Sequence, residues 1–349
     1  MKRARRQPES QPVSVAGKLP YADFKKMLMD PDVPDEEIAK YLTARPAESG
    51  PFDPAIVPDP TKVEMTPEGE FDVESAIRWG NAICRWRRQA TFNQRISASE
   101  RKPVLVSEGD SWFQFPFLIE DVIDQLNTDF LIWSLDAAGD TCDNMVNRNP
   151  EYMQGLVKQK RNHVAGFLFS AAGNDVIGED LLGQPVLGRL LKQHQPGKDA
   201  AWHVDNAQLA TILSTLSESY AKVITTIRLD NDFRKLPIFI HGYDYAIPGG
   251  FPGDTRRPIY AKQDEWLGAP MKQKGISDTT LQRDIIRILI DALYDMLHRL
   301  AGQSATTHVH VIDVRGTLAI GDWADEIHGT DAGFKKVGRL FKTAIRGAI

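Results

Sequence analysis

Cysteine is nearly absent from this chain of 349 residues, which has only Cys84 and Cys142. They lie far apart and in no metal-ligand spacing, so neither a disulfide framework nor a zinc site is expected, and a reducing compartment such as the cytoplasm suits the chain. No run of eighteen apolar residues occurs, which argues against a transmembrane helix. Strong charge of one sign is also missing: 42 Lys and Arg stand against 47 Asp and Glu, a formal charge of -5. That balance gives no general attraction to nucleic acid or an anionic membrane. The start, Lys2-Arg3-Ala4-Arg5-Arg6, has no apolar segment behind it, so residues 1–20 read as a disordered basic tail rather than a secretory signal.

What is present is the composition of a globular protein, 42% hydrophobic and 26% charged, in a chain long enough for one large core or two domains. Residues 21–44 read as two short helices, the second opened by Pro34-Asp35-Glu36-Glu37. Pro46 to Pro60 holds five prolines and reads as extended chain. A helix is expected over Val73 to Gln89, with Ile77, Ile83, Cys84 and Trp86 on an apolar face, Trp79 and Trp86 in the core, and Arg78, Arg85, Arg87 and Arg88 mostly solvated. Residues 21–100 are thus read as a small helical appendage with no assigned role and as the candidate place for recruiting a protein partner.

From Lys102 the pattern changes. Short apolar strands are expected at Pro103–Ser107, Phe130–Leu135, Val164–Ser170, Pro237–His241 and His308–Val314. Helices are expected at Ile119–Leu126, 151–162, Asn206–Ile227, Thr279–Leu300 and Ala332–Ile349. Continuous apolar strands alternating with helices predict a three-layer α/β/α sandwich around a five-stranded parallel sheet over residues 101–349. In such a sheet reactive residues collect beyond the carboxyl ends of the strands. Three short motifs fall there: Gly109-Asp110-Ser111-Trp112 after the first strand, Gly139-Asp140 after the second, and Gly173-Asn174-Asp175 after the third. A fourth, Asp325-Glu326-Ile327-His328, lies near the C-terminus.

A serine becomes a nucleophile when a base takes its proton, and His328 is the candidate base for Ser111. Asp325, three positions earlier, is close enough in a tight turn to hold Nδ1–H, with Glu326 as its rival. The order Ser, Asp, His matches that of α/β-hydrolases, but no G-x-S-x-G elbow surrounds Ser111, so a different hydrolase fold is implied.

In their order and content, the four motifs resemble those of the SGNH or GDSL-like hydrolases over about residues 101–345. The resemblance implies Ser111 as nucleophile, Asp325 and His328 as its acid-base pair, and the N–H groups of Ser111 and Gly139 with the Asn174 side chain as oxyanion donors. It implies no cofactor and no metal. Two positions depart from the family's pattern: Leu135-Asp136-Ala137-Ala138 precedes Gly139 where Asn is common, and Gly329 follows His328 where Pro is common.

Trp112 and Phe113 are candidates for an apolar wall of the acyl pocket, and His241 and Tyr243 for its rim. His308 and His310 share a face of the last strand without a third ligand, so no metal site is expected. The long Gly- and Pro-rich segment 242–275 is assigned to the substrate entrance. Phe334, Val337, Leu340 and Phe341 are expected to pack the last helix on the sheet. The leading expectation is an ester hydrolase acting on a small-molecule, carbohydrate or lipid ester. A scaffold that binds without turnover, and an acyltransferase to an alcohol, stay open beside it.

Overall fold

The computed structural model describes residues 17–45, 55–66, 76–178 and 185–349. The basic start up to residue 16 and residues 46–54 of the proline-rich stretch lie outside them. Five parallel strands form the centre: β1 Val104–Gly109, β2 Leu131–Ser134, β3 Val164–Ser170, β4 Ile238–His241 and β5 Val309–Ile312. Their order is β2-β1-β3-β4-β5, so the chain starts in the middle and winds outward in both directions. The apolar residues of β1, β2 and β4, and those of β3 from Phe167 on, are buried on both faces, as a sheet covered on two sides requires.

Phe167 and Phe169 of β3 meet Tyr152 and Tyr220 on one face, from the helices Tyr152–Gln159 and Asn206–Leu229. The opposite face carries His241, which packs against Phe341 of the helix Asp331–Ala348. Three layers result. The Asp331–Ala348 helix is capped by Thr330, whose hydroxyl accepts the Gly333 N–H, and it buries Phe334, Val337, Phe341 and Ile345. Leu340, expected on that stripe, is 36% exposed, and Ile345 takes its place one turn further on.

The helix Ala76–Ser97 departs from expectation in its charges. Arg87 is 5% exposed, and its guanidinium donates to the carbonyls of Leu28, Asp30 and Val33 and to Asp35. Arg88 sits between Asp121 and Asp124 and donates to the Phe113 carbonyl (2.5 Å). Arg85 serves the Leu135 and Asp136 carbonyls and Glu151. These arginines are consumed by carbonyls left where strands and turns end, a need that helical periodicity does not encode. Trp86, expected in the core, is 39% exposed. Phe92 instead meets Trp133 of β2 edge-on, at 5.4 Å. Gln89 and Arg95 donate to the carbonyls of Ser134 and Phe130, so this helix lies along the edge strand, although it precedes residue 101.

Candidate active site

The site is built at the carboxyl ends of β1, β2 and β3. Gly109 ends β1 with no room for a side chain, since a Cβ there would lie 2.6 Å from Phe113 and 2.9 Å from Ser170. The turn that follows is held by Asp110: its carbonyl accepts the N–H groups of Phe113 and Gln114, and its carboxylate accepts that of Trp112. Ser111, at the tip, is fully buried.

His328 Nε2 lies 2.9 Å from Ser111 Oγ, and its Nδ1 lies 2.7 Å from Asp325 Oδ2. Asp325 Oδ1 accepts the N–H groups of Ile327 and His328, each at 2.7 Å, and Oδ2 also accepts the Tyr260 hydroxyl at 2.8 Å. Burial opposes ionisation of Asp325. The neighbouring His328 and these hydrogen bonds outweigh it, holding the carboxyl below its usual range. The Trp112 indole donates to the Ile327 carbonyl at 2.9 Å, which fastens the serine turn to the histidine turn across 215 residues of sequence.

Of the two acidic rivals, geometry selects Asp325. Glu326 points the other way and accepts four backbone N–H groups, from Gly249, Trp266, Leu267 and Gly268, at 2.6 to 2.8 Å. Burial pushes this carboxyl up to about 7 against the pull of those bonds. Arg256 is buried, paired with Asp254, and donates to the carbonyls of Ile247, Pro248 and Asp325. Segment 245–268 is therefore a strap stapled to the histidine turn, with Trp266 packed edge-on to His328 at 5.7 Å. Glu326, Arg256 and Tyr260 were not singled out for these roles by the sequence, because their partners are main-chain atoms or residues far along the chain.

In the serine turn the N–H groups of Asp110, Trp112, Phe113 and Gln114 are all hydrogen-bonded, while that of Ser111 has no partner among the described residues. In the loop after β2, Ala137 donates to Gly109, Ala138 to Asn81 and Asp140 to Ala137. The N–H of Gly139, at φ 81°, has no partner among the described residues. Asn174 stands in the first turn of the helix Gly173–Ile177 and gives one amide hydrogen to the Asp140 carbonyl at 2.6 Å, which ties it to the Gly139 loop. An amide nitrogen carries two hydrogens, so a donor remains there as well.

The expected pocket residues fall elsewhere. Trp112 and Phe113 are fully buried: Trp112 packs against His241, Tyr243, Trp323 and Phe334, and Phe113 stacks on His241 and meets Phe341. They anchor the serine turn in the core instead of lining a cavity, because the last helix needs apolar partners there. His241 and Tyr243 are likewise no rim. The Tyr243 hydroxyl donates to Asp110 and accepts the Gly173 N–H at 2.8 Å, and the Ser170 hydroxyl bridges Asp110 and His241 Nε2. Burial raises Asp110 to about 6 and lowers His241 to about 4. Phe115 packs edge-on against His328, with ring centroids 4.7 Å apart. It also lines a cleft of about 600 Å3 with Pro34, Glu36, Cys84, Phe117 and Ile119, a set that includes neither Ser111 nor His328. Among the described residues no cluster suited to a metal ion occurs, and no helix is long and apolar enough to cross a membrane.

No family model matches the chain, and no curated protein matches it. Among solved structures it is similar to an extracellular lipase from Streptomyces rimosus, at 12% identity over 69% of this chain and 99% of that one, with a TM-score of 0.43. It is also similar to an acetyl xylan esterase, at 12% identity over 69% of this chain and 98% of that one, with a TM-score of 0.38. Both TM-scores fall below one-half.

Proposed function

We propose that the chain is a serine-dependent carboxylic-ester hydrolase of the SGNH or GDSL-like kind, working through an acyl-enzyme on Ser111. The observation that carries this is the continuous hydrogen-bonded path Ser111–His328–Asp325 beside two uncommitted N–H groups, at Ser111 and Gly139. As Oγ of Ser111 attacks the ester carbonyl, Nε2 of His328 takes its proton, and Asp325 stabilises the resulting imidazolium through Nδ1–H. The former carbonyl oxygen gains a negative charge and is met by the N–H groups of Ser111 and Gly139 and the free hydrogen of the Asn174 amide. Collapse of this intermediate expels the alcohol, which leaves with the proton from Nε2. Water then attacks the acyl-enzyme with His328 again as base; the bond to Oγ breaks, the carboxylic acid leaves, and Ser111 takes back its proton from Nε2.

Hydrolysis of p-nitrophenyl esters of increasing acyl length, with mass spectrometry of the protein, tests this. Turnover and an acyl adduct, both lost in a folded Ser111→Ala variant, are expected. Activity that survives Ser111→Ala would remove the nucleophile from the proposal.

A further inference from the structure

The Gly139 N–H is useful to an oxyanion only if its peptide is held at a fixed angle, and β2 has already ended at Ser134. What holds it is a side chain from outside the sheet. Asn81, on the helix Ala76–Ser97, lies against Ala138, the residue before Gly139. Its Nδ2 donates to the Ala138 carbonyl at 2.9 Å and its Oδ1 accepts the Ala138 N–H at 2.9 Å. One carboxamide thus pairs in both directions with one residue's backbone, as a neighbouring strand would. The Ala138 carbonyl belongs to the same peptide unit as the Gly139 N–H, so fixing one fixes the other.

A second amide sets the first. Gln114 Nε2, three residues past Ser111, donates to Asn81 Oδ1 at 2.9 Å. Asn81 therefore touches both loops that carry an uncommitted N–H. Gly139 at φ 81° is in a region where glycine has wide freedom, so the peptide has little intrinsic reason to keep its orientation without an external clamp.

We propose that Asn81 is a positioning residue for the oxyanion site, aligning the Gly139 N–H with that of Ser111; this rests on the hydrolase function proposed above. Its role is to orient a donor, and it does not touch the reacting atoms. Removing it leaves the donor present but misaligned, a smaller loss than deleting a donor outright, which typically costs 10²- to 10³-fold.

The test is steady-state hydrolysis by the full chain and its Asn81→Ala and Asn81→Asp variants, with the number of active sites counted by stoichiometric labelling with a fluorophosphonate. Expected for Asn81→Ala is a fall of about tenfold to fiftyfold in kcat per labelled site, a KM within about twofold, and a matching loss of affinity for a trifluoromethyl ketone that forms a tetrahedral adduct. Asn81→Asp keeps the acceptor but sets an oxygen against the Ala138 carbonyl, so it should not restore the rate. A purely structural role would lower the labelled fraction and leave kcat per site unchanged, and that result overturns the proposal. Should Asn81→Ala fail to fold, Gln114→Leu carries the test: it frees the Asn81 rotamer, and kcat per site equal to wild type would count against the clamp. Wild type that neither labels nor hydrolyses would overturn the hydrolase function and the clamp with it. A labelled, active wild type with an unaffected Asn81→Ala would overturn the clamp alone.

Discussion

The two halves of the site are braced in different ways. Asp325 and His328 lie three residues apart, and the turn between them supplies both N–H groups that saturate Asp325 Oδ1. The proposed oxyanion half is held from a distance: Asn81 reaches Ala138 across 57 residues, and Tyr243 reaches Gly173 across 70. Local bracing lets the proposed base survive small shifts of the sheet, because the pair moves as a unit. Remote bracing makes the donors sensitive to how well separate layers pack. Changes within the histidine turn should therefore act on chemistry directly, while changes in the remote supports should act by degrees.

The largest contrast lies between adjacent carboxylates. Asp325→Asn presents an amide to Nδ1 and favours the wrong imidazole tautomer, so kcat should fall on the order of 10⁴-fold in a protein that still folds. Glu326→Gln should leave kcat within about tenfold but lower the melting temperature, because one amide oxygen cannot accept four N–H bonds and its NH2 faces donors. Parallel kinetics and thermal unfolding decide this. Equal rate losses in both variants would abolish the distinction between orienter and staple.

On the other half, Asn174→Ala removes a donor itself and should cost about 3 kcal/mol of transition-state stabilisation, or about 10²-fold in kcat. A loss below twofold in a folded variant would exclude the amide from the oxyanion site. Tyr243→Phe deletes the hydroxyl that links Asp110 to the Gly173 N–H and should cost only about tenfold, read as kcat with KM little changed. If it cost as much as Asn174→Ala, the remote supports would have to be counted as donors in their own right.

This division also explains what the sequence makes legible. The strands β1 to β5 are short apolar runs between helices, and the serine, glycine, asparagine and histidine of the four motifs are local patterns, so both can be read along the chain. Strand ends shift by a few residues, because hydrogen-bond registry with a neighbour, not apolarity, ends a strand. Arg87, Asn81, Glu326 and Tyr260 act on partners dozens of residues away, mostly main-chain atoms that carry no residue identity, so no spacing announces them. Trp112 and Phe113 mislead for a related reason: aromatic residues next to a nucleophile fit a pocket wall and a core anchor equally well until the position of the last helix is known.

The smallest expected effect follows from how the two halves treat their carboxylates. Asp325 is held below its usual range, so the stability it contributes is present above the unfolded value of about 4 and is lost only as pH falls through its lower folded value. Asp110 is raised to about 6 by burial, as are Asp136 and Asp175, so in these the folded state binds its proton more tightly than the unfolded chain does. Between about pH 4.5 and 7 these three carboxyls hold more protons in the native protein than in the unfolded one; His241, lowered to about 4, works the other way but is one group against three, so unfolding free energy should fall as pH rises. Glu326, near 7, extends the trend towards pH 8. A melting temperature that drops by a few degrees from pH 5 to pH 8 is expected, measured in Ser111→Ala to avoid turnover of contaminating esters. Asp110→Asn, which has no proton to bind in that range, should flatten the slope. A melting temperature that instead rises with pH would mean that these buried carboxyls ionise more readily than their burial implies, leaving the neutral His241 to set the trend.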